Sequence, residues 1–171
     1  GGQGVLSLGQ LIAYGGMLEN YHVSWLPSYG PEMRGGTAYC CVVVSGKPVG
    51  SPMISENATT AIVMNLPSLV KFAPRVSEGG LLLVNSSLIT DRCSRDDLNV
   101  YYIRAVDEAA GCGDIKMANI VMLGAYLQLT GVVDFQSIAR AFTKVFGKKK
   151  GKLVTKNMRA LNRGMELVQE Q

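Results

Sequence analysis

The sequence predicts one α/β domain of three layers, with a mixed or mainly parallel sheet and a helical C-terminal third. Short apolar and β-branched runs alternate with helical patterns in the first two thirds of the chain, and only helical patterns follow residue 114. The length of 171 residues suits a single domain. Because there is no internal repeat and no linker, we expect residues 1–171 to fold as one unit.

The expected strands are short and largely apolar. They cover residues 22–26, 37–45, 61–64, 81–84 and 100–103. Runs of this kind are typical of strands buried on both faces of a layered sheet. Helices are expected at residues 5–19, 66–72, 115–129, 135–146 and 155–168, with Asp134 as the N-cap of the fourth. Glycines on the first helix predict close packing on a sheet.

The glycines at the start of the sequence predict a strand-to-helix turn. Gly1, Gly2, Gln3 and Gly4 run directly into the first helix, so we expect a strand before Gly1. Glycines allow backbone N–H groups to face an anion at a helix N-terminus, and phosphate is the expected ligand. A dinucleotide site is disfavoured, because the spacing is not G-x-G-x-x-G and no suitable acidic residue follows about 20 positions later.

Residues 27–36 form an unusual predicted loop. Its turn formers are mixed with an aromatic ring, a carboxylate, a thioether and a guanidinium group. Arg34 offers a planar fork suited to a carboxylate or phosphate, and the paired glycines allow a ligand or another backbone to approach closely. On physical grounds an alternative has equal weight: Glu32 and Arg34 simply form ion pairs that hold a rigid turn.

Composition disfavours several classes of site. The four cysteines include no C-x-x-C pair and His22 is the only histidine, so no zinc or iron–sulfur ligand set has familiar spacing. We expect reduced structural thiols, with Cys40 and Cys41 on opposite sides of their strand.

No apolar run approaches the ~20 residues that span a bilayer, and no signal peptide is recognised. No membrane association and a cytoplasmic location are therefore expected.

Positive charge is concentrated near the C-terminal end. The net charge is +4, and the densest basic run includes Lys148, Lys149 and Lys150. Such a run can bind phosphates or an acidic protein. A solvated helix face is the commoner explanation. Nucleic acid is not an expected partner, because no aromatic stacking platform or binding motif accompanies the charge.

Four segments carry a resemblance to a known family. They are G-G-Q-G-V at residues 1–5, W-L-P-S-Y-G-P-E-M-R-G-G-T-A at residues 25–38, V-V-V-S-G-K-P-V-G-S-P at residues 42–52 and A-N-I-V-M-L-G-A at residues 118–125. In order and content they resemble the gamma subunits of 2-oxoacid:ferredoxin oxidoreductases, over nearly the whole chain. The S-Y-G-P-E-M-R-G-G segment is the most specific of these elements.

The resemblance implies one subunit of a larger enzyme, with no complete active site in this chain. Alpha, beta and delta-type partners are expected to hold thiamine diphosphate and iron–sulfur clusters. The complex is expected to decarboxylate a 2-oxoacid such as pyruvate or 2-oxoglutarate oxidatively, form acyl-coenzyme A and pass electrons to ferredoxin. This chain is expected to bind no metal or redox cofactor. The residues expected to contact coenzyme A or a partner are Gly2, Gln3, Gly4, Ser28, Tyr29, Gly30, Pro31, Glu32, Met33, Arg34, Gly35 and Gly36.

Two other functions are compatible with an α/β domain of this size. A stand-alone nucleotide- or flavin-binding module is the main alternative, and it would be monodisperse and bind its nucleotide without a partner. A hydrolase is disfavoured, because His22 is the only histidine and no G-x-S-x-G is present.

The chain offers two candidate sites for the phosphates of coenzyme A. One is the glycine turn with Arg34, and the other is the lysine-rich segment at residues 148–152. We favour the first, since fixed backbone donors lose little entropy on binding.

Overall fold

The computed structural model describes residues 2–29, 38–147 and 151–169, with side chains described from residue 154 onward in the last segment. The helices and strands are, in chain order, α1 (Val5–Leu18), β1 (His22–Ser28), β2 (Tyr39–Ser45), β3 (Ala58–Val63), α2 (Leu66–Phe72), β4 (Val76–Asn85), β5 (Asn99–Ile103), α3 (Ala105–Gly111), α4 (Ala118–Thr130), α5 (Phe135–Phe146) and α6 (Gly151–Gln169). Short 3₁₀ turns at Ala73–Arg75 and Ile115–Met117 precede β4 and α4.

The strands pair in two groups. β1 and β2 are antiparallel, with His22 opposite Ser45 and Ser28 opposite Tyr39. β3, β4 and β5 form a parallel sheet in that order. Among the described residues no ladder joins β2 to β3, and a cavity of about 200 Å³ separates them.

The three parallel strands end on the same side of the molecule. Their last residues are Val63, Asn85 and Ile103, and we call this side the carboxyl edge. α2 and α3 begin within three residues of this edge. Ligands of open α/β sheets usually bind at such an edge, because helix N-termini and strand-end loops meet there.

α1 packs closely on the antiparallel pair through its glycines. A Cβ atom on Gly9 would overlap the Sγ atom of Cys40. A Cβ atom on Gly16 would lie 3.1 Å from Cγ1 of Val44 and 3.2 Å from Cγ2 of Val23. These contacts confirm that the glycines allow the helix backbone to approach a sheet, which offsets their low helix propensity.

Helices or loops cover both faces of the parallel sheet. On one face, Leu83 and Ile103 join a core that includes Ile120 and Leu123 of α4. On the other face, Leu82 and Val84 pack with residues of α2 and of the segment after β4, including Leu69 and Ile89. The α/β class and the helical C-terminal third are as predicted.

Some element boundaries differ from the sequence-based expectation. β4 begins at Val76, whereas the expected strand covered only residues 81–84, because residues 77–80 are polar or glycine and show no strand pattern. Nη1 of Arg95 fixes the start of β4 by donating to the carbonyl oxygens of Ala73 at 2.9 Å and Val76 at 2.6 Å. α3 was not expected, since its seven residues are too few to display a helical period.

Candidate functional site at the carboxyl edge

The glycine turn before α1 lies at the carboxyl edge. Gly2 and Gly4 have φ angles of 81° and 73°, the left-handed region that favours glycine. Gly4 is the N-cap residue of α1, and no side chain caps this helix. Nδ2 of Asn119, at the start of α4, donates to the carbonyl oxygen of Gly4 at 3.0 Å. The turn is therefore held from the side by α4.

The side chain of Gln3 ties the same turn to the end of β3. Its Nε2 donates to the carbonyl oxygen of Met64 at 3.3 Å, and its Oε1 accepts from Nδ2 of Asn65 at 2.8 Å. Oδ1 of Asn65 in turn accepts from the backbone N–H of Ser68 at 3.0 Å and caps α2. One run of amide groups thus connects the N-termini of α1 and α2.

Asn85 lies beneath these amides at the end of β4. It is fully buried, and its Nδ2 donates to the carbonyl oxygen of Met64 at 3.4 Å. Its Oδ1 has no hydrogen-bond partner among the described residues. Burial of an unpaired amide oxygen is costly, at about 1–3 kcal/mol. Asn85 therefore places an amide oxygen without a protein partner, among the described residues, at the carboxyl edge.

A polar cluster follows β4 and β5. Oγ of Ser87 donates to Oδ2 of Asp107 at 2.8 Å and accepts from the N–H of Val106 at 3.1 Å. Nε of Arg104 contacts the same carboxylate at 3.1 Å. The hydrogen bond from Ser87 and, next, that from Arg104 lower the pKa of Asp107. This cluster fixes the N-terminus of α3 at the surface of the edge.

The electrostatics of the α1 N-terminus favour an anion. The first turn contains no acidic side chain, so nothing there neutralises the positive end of the helix dipole. Intrahelical bonding begins with the N–H of Leu8, which donates to the carbonyl oxygen of Gly4 at 3.0 Å. The N–H groups of the preceding residues have no acceptor within the helix. The arrangement can bind a phosphate or carboxylate.

The predicted site residues fall into two groups. Gly2, Gln3 and Gly4 lie at the carboxyl edge, whereas Ser28 is partly buried as the last residue of β1 and the side chain of Tyr29 is 71% exposed. The remaining predicted residues lie outside the described residues: Gly30, Pro31, Glu32, Met33, Arg34, Gly35 and Gly36. The alternative phosphate site at Lys148, Lys149 and Lys150 also lies outside them.

Sequence reasoning missed the amide side chains that hold the glycine turn. Asn65 had a usable signal, since it directly precedes a helix with proline near its start. The sequence signal at Asn85 and Asn119 was weaker. Each is a polar residue beside apolar residues, and the burial of its side chain is not apparent from the sequence alone.

The side chains of Cys40 and Cys41 pack inside the protein and contact backbone carbonyl oxygens. Sγ of Cys40 contacts the carbonyl oxygen of Val5 at 3.5 Å, and Sγ of Cys41 contacts that of Ile54 at 3.7 Å, so the two point to opposite sides as predicted. Burial raises the pKa of Cys40 to about 11.

The described residues contain no group of three or more His, Cys, Asp or Glu placed to hold a metal ion. None of the described helices is long and apolar enough to span a membrane.

Known proteins resemble this chain over nearly its full length. The family model for pyruvate ferredoxin/flavodoxin oxidoreductase matches residues 1–167. Ketoisovalerate oxidoreductase subunit VorA of Methanothermobacter thermautotrophicus is 40% identical over 172 residues, which cover 99% of this chain and 35% of VorA. 2-Oxoglutarate synthase subunit KorC of Methanocaldococcus jannaschii is 31% identical, and the match covers 99% of this chain and 90% of KorC.

A solved structure has the same fold. The gamma subunit of a keto/oxoacid ferredoxin oxidoreductase from Geobacter sulfurreducens superposes with a TM-score of 0.84 at 28% identity, over 100% of this chain and 95% of that subunit. The chain spans about a third of the length of its ketoisovalerate relatives and about nine tenths of KorC. It belongs to the pyruvate ferredoxin/flavodoxin oxidoreductase family.

Proposed function

We propose that this chain is the gamma-type part of a 2-oxoacid:ferredoxin oxidoreductase. With partner subunits it would convert a 2-oxoacid and coenzyme A into acyl-coenzyme A and carbon dioxide, and the released electron pair would pass to ferredoxin. The observation that carries this proposal is the family match over residues 1–167. The relatives include subunits of ketoisovalerate, 2-oxoglutarate and pyruvate enzymes. The proposed substrate class is therefore a 2-oxoacid, and the relatives differ in which 2-oxoacid they are named for.

Exposed apolar side chains support a role inside a complex. Tyr29 follows β1, Leu66 begins α2, Leu88 follows β4 and Ile115 precedes α4. Their side chains are 71%, 38%, 52% and 60% exposed, respectively. Large exposed apolar side chains can mark a protein contact. We assign these side chains to contacts with alpha, beta or delta-type partner subunits, with ferredoxin reached through the complex.

The redox cofactors are assigned to those partners. Thiamine diphosphate and iron–sulfur clusters need a diphosphate–metal site or several converging thiolates. The residues described here do not fit these groups, because Cys40 and Cys41 point apart and no metal-binding cluster occurs among them. The four cysteines are free thiols, which agrees with a cytoplasmic location.

We assign to this chain a contact with a phosphate of coenzyme A. The site would consist of the backbone N–H groups at the N-terminus of α1, directly after Gly2, Gln3 and Gly4. Further contacts to coenzyme A or to a partner would come from Ser28, Tyr29 and the segment from Gly30 to Gly36. Its support is the uncapped N-terminus of α1, whose turn is already fixed by Asn65 and Asn119. Donors that are ordered before binding lose less entropy than flexible lysines such as Lys148.

The test is purification of the tagged chain from its native cells, followed by assay of the eluate. We expect partner subunits to co-purify and the eluate to reduce an electron acceptor only when both coenzyme A and a 2-oxoacid are added. Pyruvate, 2-oxoglutarate and ketoisovalerate would be compared as substrates. A monodisperse single chain with a bound nucleotide or flavin, and no such activity, would instead support the stand-alone module.

A further inference from the structure

β5 is the last strand of the parallel sheet and pairs with β4 on one side only. In the described part of the chain, one backbone hydrogen bond joins β5 to a residue outside the strands. It runs from the N–H of Ser86 to the carbonyl oxygen of Ile103 and continues the ladder with β4. Among the described residues, the backbone groups on the outer side of β5 therefore form an open strand edge.

Burial of the side chains agrees with an open edge. Residues 82–84 of β4 are fully buried, whereas the residues opposite them in the ladder, 100–102 of β5, are only partly buried. Both strands pack against the same two cores, one on each face of the sheet. The difference in burial therefore indicates that solvent reaches β5 from its outer edge.

β5 lacks the features that usually protect a strand edge from another chain. Such features are a proline, a lysine, a bulge or a very short strand. β1, which pairs only with β2, contains Pro27. β5 has an ordinary length of five residues and contains neither proline nor lysine, and its ladder with β4 has no shift of register. The outer edge of β5 is therefore suited to accept another strand.

The sequence of β5 is complementary to itself in an antiparallel ladder centred on Tyr101. In that register Tyr101 would face the same residue of a second copy, and Val100 would face Tyr102 of that copy. Val100 and Tyr102 lie on one face of the sheet, so both of these pairs would form on the same face. An aromatic side chain opposite a β-branched one is a favourable cross-strand pair.

The charges at the two ends of β5 match the same register. Asp96 and Asp97 precede the strand, and Arg104 follows it. An antiparallel ladder brings the start of one strand beside the end of the other, so Asp96 of each copy would lie near Arg104 of the other. Asp96 is exposed and forms no ion pair with another described residue, and the side chain of Arg104 is 73% exposed in its pair with Asp107. A parallel ladder would instead bring like charges together.

We propose that the outer edge of β5 pairs with β5 of a second copy of this chain, antiparallel and centred on Tyr101. The two parallel sheets would join into one sheet in the order β3, β4, β5, β5, β4, β3. Such an interface is isologous, because the same residues of both copies meet across a twofold axis. It would bring two gamma-type parts together at one axis, and it does not depend on the proposed coenzyme A contact.

Chemical cross-linking tests the pairing and its direction in the complex purified from native cells. The double variant Asp96→Cys with Arg104→Cys places thiols at both ends of β5, in a Cys93→Ser background that removes a nearby native thiol. Within one chain these positions lie about 26 Å apart along an extended strand, beyond the reach of a short bismaleimide. Between two copies they would be diagonal neighbours at about 7–8 Å.

We expect the bismaleimide to convert most of the double variant to a species of twice the chain mass. Each single cysteine variant should stay at the mass of one chain, because like positions lie far apart in an antiparallel pair. The control is a second pair of exposed positions, Lys47→Cys with Glu56→Cys, which should not link two copies. Absence of the doubled species, equal linking by the single variants or the control pair, or linking to a different subunit would overturn the proposal.

A disulfide at the twofold axis provides a second measurement. Opposite Cα atoms of paired strands lie about 4.5–5.5 Å apart, so Tyr101→Cys should link two copies directly on oxidation. Asp96→Lys should lower the yield of this link about fivefold at limiting protein concentration, because two ion pairs are replaced by like charges. The matched control is Asp91→Lys, an exposed aspartate of the same loop, which should leave the yield unchanged. Equal yields in the two lysine variants would contradict the proposed register.

Discussion

Nδ2 of Asn65 donates to Oε1 of Gln3 at 2.8 Å, and this bond joins the glycine turn before α1 to the cap of α2. The two residues are 62 positions apart in sequence, yet they set the geometry of the proposed anion site. One pair of amide side chains therefore links two helix N-termini at the carboxyl edge.

Asn65→Asp separates the two roles of Asn65. It keeps Oδ1, which caps α2, and removes the Nδ2 donor to Gln3. We expect a loss of about 1 kcal/mol in the free energy of unfolding, measured by urea denaturation. In the Gln3→Ala background the same change should cost clearly less, because the bond is already absent. Equal losses in both backgrounds would show that the bond contributes nothing.

Gly4→Ala tests how tightly the turn is held. The left-handed φ of Gly4 costs any other residue about 1 kcal/mol, and a Cβ atom would lie 2.5 Å from Nδ2 of Asn119. Gly131→Ala is the control, since Gly131 also has a positive φ but no atom within 4 Å of its Cβ position. Thermal unfolding should show a loss about 1 kcal/mol larger for Gly4→Ala. Equal losses would contradict the contact with Asn119.

Gly124 and Gly164 test the packing of α4 on α6. A Cβ atom on Gly124 would overlap the carbonyl oxygen of Leu161, and one on Gly164 would overlap that of Val121. Each glycine-to-alanine change should lower the free energy of unfolding by about 1–3 kcal/mol or more, since a backbone must move. Gly111→Ala is the control because its Cβ position is open, and it should be nearly neutral. The comparison requires only urea denaturation curves.

The lowered pKa of Asp107 predicts that the stability of the fold depends on pH. Its pKa is lowered from the ordinary value of 3.8 by hydrogen bonds from Ser87 and Arg104. The carboxylate therefore stabilises the fold fully above that ordinary value, and this contribution is lost as pH falls through the lower folded-state pKa. Asp107→Asn should lower the melting temperature at neutral pH, and the difference from wild type should shrink in strong acid. The control is Asp91→Asn, at an exposed turn; an identical pH profile for both variants would contradict the prediction.

Local chemistry explains which parts of the fold could be predicted. α5 has the expected bounds of residues 135–146, because its signals are adjacent in sequence: the side chain of Asp134 accepts from the N–H of Gln136 at 2.7 Å, and Gly147 follows the last turn. The close approach of α1 to β2 was also evident from its glycines. Such signals act within a few residues and need no knowledge of tertiary contacts.

The candidate site was only partly predictable, because tertiary contacts build it. The glycine turn was recognised as a turn, but its partners Met64 and Asn119 lie 61 and 115 positions from the residues they contact. No periodicity or capping rule connects such distant positions. The convergence of Arg34 with the glycine turn is a prediction that the described residues do not test.

The apparent KM for coenzyme A of the reconstituted oxidoreductase tests the proposed coenzyme A contact most directly. Arg34→Ala removes the proposed cationic contact, and the triple change at Lys148, Lys149 and Lys150 to alanine removes three charges at the alternative phosphate site. Both assemblies would first be checked for intact subunit composition. We expect Arg34→Ala to raise the KM about tenfold or more, which is the effect of losing one charge-assisted hydrogen bond. We expect a near wild-type KM for the triple variant. A raised KM in the triple variant alone, or an unchanged KM in both, would contradict a contact between Arg34 and coenzyme A.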